Sequence, residues 1–384
     1  MSLARLLTQS GAETDVVLTR SATEFVGAIT FEAVTGRPVH AELLAAGHAL
    51  DHIRLARAAD LIVVAPATAD FLARAAHGRA DDLLAACLLA AGHAQGECRV
   101  LIVPAMNDRM WAHPQTVRNV AHLRELGYEV LEPAEGPLAV GEGSGPGRMP
   151  EPEDILAHIG RLLEPRGRLG GRRVLVTAGP TREAVDPVRY LSNRSSGRMG
   201  VALAMAAWRR GADVTLVAGP LSVAVPPVLR RIDVESTEEM ADAVRRALPD
   251  ADVLVMAAAP ADFRAAAPAT SKIKKAGAPE SLALASTPDI LAVTRSVRRN
   301  GAVVVGFALE TDDALNGGRA KLAAKGLDLV VVNDATEPGA GFGVDTNRVT
   351  ILSARDGDEA LPLMPKAEVA DAILDRVERL LGGS

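Results

Sequence analysis

The sequence predicts an α/β protein built from two doubly wound, parallel-sheet domains, and three observations carry that prediction. Short β-branched runs alternate with longer amphipathic segments along the chain, the order that yields a parallel sheet with helices on both faces. The runs are apolar throughout, as in LIVVA from Leu61 and VLIVP from Val100, which is the pattern of strands buried on both sides. At 384 residues the chain exceeds one ordinary core, and the Gly-, Pro- and Arg-rich stretch EPRGRLGGR (Glu164 to Arg172) has the composition of an interdomain connection. The expected domains are 1–168 and 169–384.

In the first domain, strands are expected at Asp15–Thr19, Leu61–Ala65, Val100–Pro104 and Glu129–Leu131. Helical patterns lie between them in HIRLARAAD, TADFLARAAHGRADDLLAACLLAA and QTVRNVAHLRELG. Ligands on such sheets bind outside the carboxyl ends of the strands, so Thr19 to Ser21, Pro66 to Asp70 and Pro104 to Asn107 are the informative stretches. Ser2 to Ser10 reads as an amphipathic helix stopped by Gly11. A βαβ unit would put a strand before it, so a first strand and its phosphate-binding turn are expected to be missing.

The second domain repeats the pattern and is expected to be Rossmann-like. Its strands are Arg173–Thr177, Asp213–Val217, Asp252–Ala257, Ala302–Phe307 and Asp328–Asn333. Its helices are Met199–Arg210, Thr237–Ala247, Thr287–Arg298 and Arg319–Lys325, followed by a C-terminal helix, Lys366–Leu381. The segment VLVTAGPTREAVDPVRYLSNRSSGRMG, Val174 to Gly200, dominates it. A strand leading through a glycine turn into a helix with a Ser or Asn cap aims backbone N–H groups at one spot, an anion site. Arg182, Arg189, Asn193, Arg194, Ser195, Ser196 and Arg198 add side chains able to hold a phosphate or carboxylate. The GxGxxG spacing of a dinucleotide site is absent, which argues against a nicotinamide enzyme. Asp262, after the third strand, could hold a metal ion or a nucleotide hydroxyl. Lysines in Ser271–Lys275 could neutralise phosphate charge, and the four-residue spacing of Lys321 and Lys325 puts both on one helix face.

The net charge of −6 argues against a general nucleic-acid surface. No apolar run reaches membrane-spanning length and no signal-peptide pattern opens the chain, so a cytoplasmic protein with no membrane partner is expected. Cys87 and Cys98 are the only cysteines, and their spacing suggests neither a metal site nor a disulfide.

The string AGPTREAVDPVRYLSNRSSGRMG resembles the signature of the ligase half of a known family, the bifunctional phosphopantothenoylcysteine decarboxylase/phosphopantothenate-cysteine ligases of coenzyme A biosynthesis. The first half is similar to its flavodoxin-like, FMN-binding decarboxylases through VVLTRSATEF, HIRLARAADLIVVAPATADFLARAAHGRADDLL, VPAMNDRMW and GSGPGRMPEP. The resemblance implies that His52 is the active-site histidine, that Asn107 binds the substrate carboxylate, and that Thr19, Ser21, Ala65, Pro66 and Thr68 line the flavin. In the second half it implies that Lys272 contacts CTP and that Asn193 stabilises an acyl-cytidylate. Ala257, Asp262, Pro288, Asp289, Ile290, Leu291, Phe307, Lys321 and Lys325 would be nucleotide positions, with Asp262 toward Mg²⁺. The implied substrates are 4'-phosphopantothenate, L-cysteine and CTP, and the implied assembly is a homo-oligomer, the ligase pairing as dimers and the decarboxylase as trimers. Two departures stand out. The family's N-terminal Gly-Gly-Ile-Ala loop has no counterpart, so weak or absent FMN is expected in the purified protein. Leu138 to Ser144 carries no thiol where many members have a proton-donating cysteine, so Glu142, Ser144 or a water would take that role. The alternative reading is a ligase alone, with the first domain a non-catalytic assembly module.

Overall fold

The computed structural model describes residues 1–44, 49–91, 98–138, 141, 143–164, 167–274, 281–310, 314–334, 341 and 343–382. The chain divides into two compact units, 1–164 and 165–384.

In the first unit, Leu61–Ala67, Arg99–Pro104 and Glu129–Val130 form a parallel three-stranded sheet with Arg99–Pro104 in the middle. Every residue of that central strand after Arg99 is buried, as its unbroken apolar run requires. Phe71, Leu72, Ile102 and Leu123 pack in the main core. The strand expected at Asp15–Thr19 is reduced to Val16–Val17 and stands outside this sheet, paired in parallel with Val39–His40. It ends early because the Thr19 hydroxyl accepts the Ala22 N–H and starts the short helix Arg20–Thr23. The long pattern from Thr68 to Ala91 is two helices, Ala69–Ala76 and Leu83–Ala90. Asp82 begins the second by accepting the Ala85 N–H at 2.8 Å. Burial pushes the Cys87 thiol up to about 11, so it stays protonated and unreactive at neutral pH.

His158, on the helix Pro152–Leu163, is lowered to about 4 by burial and then by Arg161. The unfolded chain therefore takes up a proton near pH 6.5 that the folded one refuses until about pH 4. Its stabilising contribution is complete above pH 6.5 and is lost as pH falls through that window. His158→Gln is expected to flatten the fall in melting temperature of the first unit between those two values.

The second unit is organised by an eight-stranded sheet. In spatial order its strands are Arg230–Asp233, Asp213–Ala218, Arg173–Ala178, Val253–Met256, Val303–Glu310, Leu329–Asp334, Thr350–Ser353 and Glu359–Ala360. The first six are parallel and the last two antiparallel. Numbered along the chain, the parallel strands run 3-2-1-4-5-6, the order of a doubly wound nucleotide-binding fold. Leu254, Val304, Val330 and Met240 pack together in one of its cores.

The helices Thr237–Ala247 and Lys366–Leu381 stand as expected. The helix expected over Thr287–Arg298 is instead the four-residue Ile290–Val293 and a 3₁₀ turn at Arg295–Val297. Asp289 caps its start through the Ala292 N–H, and Thr294 back-bonds its hydroxyl to the Ile290 carbonyl at 2.6 Å, closing it one turn later.

Candidate functional site

Strand order reverses between Arg173–Ala178 and Val253–Met256, and the carboxyl ends of such a pair form the crevice where doubly wound folds bind ligands. The chain keeps these two ends together past the sheet. The Ala259 N–H donates to Gly179 O at 2.9 Å, and the Thr177 hydroxyl accepts the Ala258 N–H at 3.1 Å.

The helix expected to start on a Ser or Asn cap spans Arg198–Arg209 and is capped by Gly197, with no side-chain cap. Gly197 has φ +81°, and a Cβ there would lie 2.2 Å from Leu221 Cδ2. A side chain is thus refused on both conformational and steric grounds, and the cap is left to backbone N–H groups facing the strand ends. Arg198 pairs with Asp345 at 2.6 Å, and the buried Lys366 ammonium donates to the Gly341, Val344 and Thr346 carbonyls. These contacts tie the closing segment to the start of the helix; Phe342 lies outside the described residues.

Asn193 lies exposed where the signature hairpin ends. Its Nδ2 donates to the carbonyls of Ala259 and Pro260 at 3.1 and 2.9 Å, two residues before Asp262, whose side chain is exposed. Lys272 is also exposed, and its neighbour Ile273 is fastened to the same hairpin. The Ile273 N–H donates to Asp186 Oδ2 at 3.1 Å, and the Ile273 carbonyl accepts from Arg189 at 2.9 Å. Asp186, missed in the sequence, is the hub: it is buried and also accepts the Val188 and Arg189 N–H groups at 2.8 and 2.9 Å. The hydrogen bond from the Arg189 guanidinium, against burial and with the backbone donors, holds its carboxyl far below the usual carboxylate range. The Asp-Pro of DPVR is the one signal that could have revealed this turn.

A second buried network supports the 257–262 turn. The Ala261 N–H donates to Thr181 Oγ1 at 2.9 Å, and the Thr181 and Thr237 hydroxyls are 2.8 Å apart. Glu183 accepts both the Thr237 N–H and its hydroxyl at 2.8 Å. Glu183 also lines a cavity of about 450 Å³ with Arg264, Thr287 and Pro288.

Several of the other residues expected to contact the nucleotide lie at or after the next strands. Lys321 Nζ donates to the Phe307 carbonyl at 2.6 Å, and Lys325 pairs with Asp289. Burial raises the Asp289 carboxyl, but the Lys325 hydrogen bond, the Ala292 N–H and the charges of Lys325 and Lys321 outweigh it and hold the group below its usual value. Ala257 and Pro288 are half-buried. Ile290 and Leu291 bury their side chains in the core, so only their backbone is left for a ligand. Among the described residues no three His, Cys, Asp or Glu side chains lie together as a metal site.

In the first unit, Thr19 follows the strand Val16–Val17 and Ser21 stands exposed two residues on. Ala65 and Pro66, joined by a cis peptide bond, close the strand Leu61–Ala67, and Thr68 caps the next helix through the Phe71 N–H at 3.2 Å. Asn107 follows Arg99–Pro104 and accepts the Arg109 N–H at 2.9 Å. His52 sits in the first turn of Asp51–Ala58, the helix that runs down into strand Leu61–Ala67, so it too is on the carboxyl-end side of the sheet. Its Nδ1 is buried and has no hydrogen-bond partner among the described residues. A buried polar atom left without a partner is uncommon in a folded protein and marks His52 as a candidate functional group. Ser144 begins the strand Ser144–Arg148, and Glu142 lies outside the described residues. No described helix is long and apolar enough to cross a membrane.

Comparison with known proteins agrees with this division. Residues 1–164 match the Flavoprotein family and residues 169–381 match the DNA/pantothenate metabolism flavoprotein C-terminal domain. The coenzyme A biosynthesis bifunctional protein CoaBC of Mycobacterium tuberculosis (strain ATCC 25618 / H37Rv) is 48% identical, covering 100% of this chain and 93% of its own. That of Vibrio vulnificus (strain CMCP6) is 43% identical over 99% of this chain and 94% of its own. A solved C-terminal domain of a CoaBC protein is similar with a TM-score of 0.49 and 34% identity, covering 57% of this chain and 100% of that one. With near full-length relatives at this identity and a matching family for each unit, the chain belongs to the coenzyme A biosynthesis bifunctional proteins and is a two-activity enzyme of that pathway.

Proposed function

We propose that the second unit joins 4'-phosphopantothenate to L-cysteine at the expense of CTP and that the first decarboxylates the product with bound FMN. The observation that carries the ligase reading is the grip of Asn193 on the Ala259 and Pro260 carbonyls. It ties the signature loop to the turn ahead of Asp262, and Asp186 and Arg189 of the same hairpin hold Ile273, the neighbour of Lys272. An oxygen of the phosphopantothenate carboxylate attacks the α-phosphorus of CTP, the bond to the β-phosphate oxygen breaks, and pyrophosphate leaves. The cysteine nitrogen then attacks the acyl carbon, the carbon–oxygen bond to the cytidylate breaks, and CMP and a proton depart. Lys272 sets positive charge on the phosphates, Asn193 orients the acyl-cytidylate, and Asp262 would hold a magnesium ion that supplies further charge neutralisation. Lys321, Lys325 and Asp289 shape the nucleotide end, with Ala257, Pro288, Ile290, Leu291 and Phe307 around the cytidine.

In the first unit, bound FMN supplies the electron sink that decarboxylation needs. Thr19, Ser21, Ala65, Pro66 and Thr68 would hold it, Asn107 would bind the substrate carboxylate, and His52 would serve as the active-site histidine. The family names, the Flavoprotein match and the orphaned His52 Nδ1 support this over a ligase with a silent first domain. The enzyme is cytoplasmic and works as a homo-oligomer. With phosphopantothenate, cysteine, CTP and Mg²⁺ the protein is expected to release pyrophosphate only when both phosphopantothenate and CTP are present, and with FMN added to release carbon dioxide as well. Pyrophosphate without phosphopantothenate would count against the ligase, and no carbon dioxide at saturating FMN against the decarboxylase.

A further inference from the structure

Resting on the ligase reading, we infer that the cavity above Glu183 is the seat of the amino-acid acceptor and recognises it as a zwitterion. The cavity, of about 450 Å³, is lined among the described residues by two carboxylates, Glu183 and Glu238, and by one guanidinium, Arg264. That balance disfavours a phosphate and suits a ligand with one ammonium and one carboxylate. Glu183 is 5% exposed and is held from behind by the Thr237 N–H and hydroxyl, so a fixed negative group forms part of the wall. Arg264 is exposed and has no ion pair among the described residues. Its guanidinium is available to a carboxylate in the two-pronged manner of arginine.

Position supports the same occupant. Thr287 and Pro288 line the cavity, and Thr287 also donates its N–H to the Asp262 carbonyl at 3.0 Å and its hydroxyl to the Ala261 carbonyl at 2.6 Å. The cavity thus shares a wall with the turn that carries Asp262, and an amine held by Glu183 and Glu238 waits beside the activated acyl group. Neither the family roles carried by the sequence nor the activation step assigns a function to Glu183, Glu238 or Arg264.

The test separates the amine site from the activation site. Full-length wild type, Arg264→Gln and Glu238→Gln are compared, both changes being at exposed positions. A single-turnover pyrophosphate burst without cysteine reports activation, and steady-state ligation reports the acceptor. Arg264→Gln is expected to raise KM for cysteine by about 10- to 100-fold, the worth of a hydrogen bond to a charged group. It leaves the burst and the KM for CTP and phosphopantothenate unchanged, and it narrows the preference for cysteine over cysteamine, which has no carboxylate. Glu238→Gln moves the cysteine KM in the same direction. An unchanged cysteine KM with a normal burst overturns the inference, as does a raised KM for CTP or phosphopantothenate instead. A wild type with no burst refutes the ligase reading itself.

Discussion

Asn193→Ala is expected to lower ligation by about 100-fold or more, the scale of removing one preorganised donor from a transition-state site, while the protein keeps its fold. The side chain is exposed, so its loss opens no cavity. What disappears is the pair of hydrogen bonds to Ala259 and Pro260, and with it the registry between the signature loop and the turn ahead of Asp262. Reactions between held groups lose rate steeply with small misplacements. Steady-state pyrophosphate release read beside a thermal melt checks this: turnover should collapse with little change in melting temperature. Near-normal turnover would remove Asn193 from the site.

The second large effect is expected at a residue that touches no substrate. Asp186→Ala strips the Arg189 guanidinium and the Val188, Arg189 and Ile273 N–H groups of their shared acceptor. The turn of the hairpin then loses its hub and the Lys272 segment its anchor, so ligation should fall at least as far as in Asn193→Ala, with KM for CTP rising. Asp186→Asn keeps an acceptor for the backbone but not the charge that pairs with Arg189, and it should fall between the alanine variant and wild type. Because the folded carboxyl is held far below its usual range, its contribution is complete above the unfolded carboxylate pKa near ~4. It is lost only as pH falls through the still lower folded value. A loss of ligation on acidification from pH 7 to 5 is therefore not expected to originate at Asp186, and Asp186→Asn should leave the shape of the profile in that range unaltered.

Much of the scaffold was legible because core strands in this chain are written as unbroken β-branched runs. All five strands expected in the second unit are present, and Thr237–Ala247 carries its Ser236–Glu239 capping box in plain sight. The edges were not legible. Arg230–Asp233 is a strand of mostly exposed, charged residues, so it lacks the apolar run that marks its neighbours. Thr350–Ser353 is antiparallel and follows a long connection. The Gly197 cap was hidden because its reason is tertiary: Leu221 fills the space where a side chain would go. At the site, residues bearing obvious chemistry, such as Asn193 and the lysines, stood out by type, but those that position them did not. Glu183, Thr181 and Thr237 look like ordinary polar residues until the fold brings three separate segments into one buried chain of hydrogen bonds.

The account rests on carboxylate activation in the crevice between Arg173–Ala178 and Val253–Met256, and a rapid-quench experiment without cysteine tests that most directly. Enzyme mixed with CTP, Mg²⁺ and 4'-phosphopantothenate is expected to give a pyrophosphate burst matching the concentration of sites, absent without phosphopantothenate and lost in Asn193→Ala and Lys272→Ala. No burst in the wild type, or one of equal size when phosphopantothenate is withheld, would contradict it.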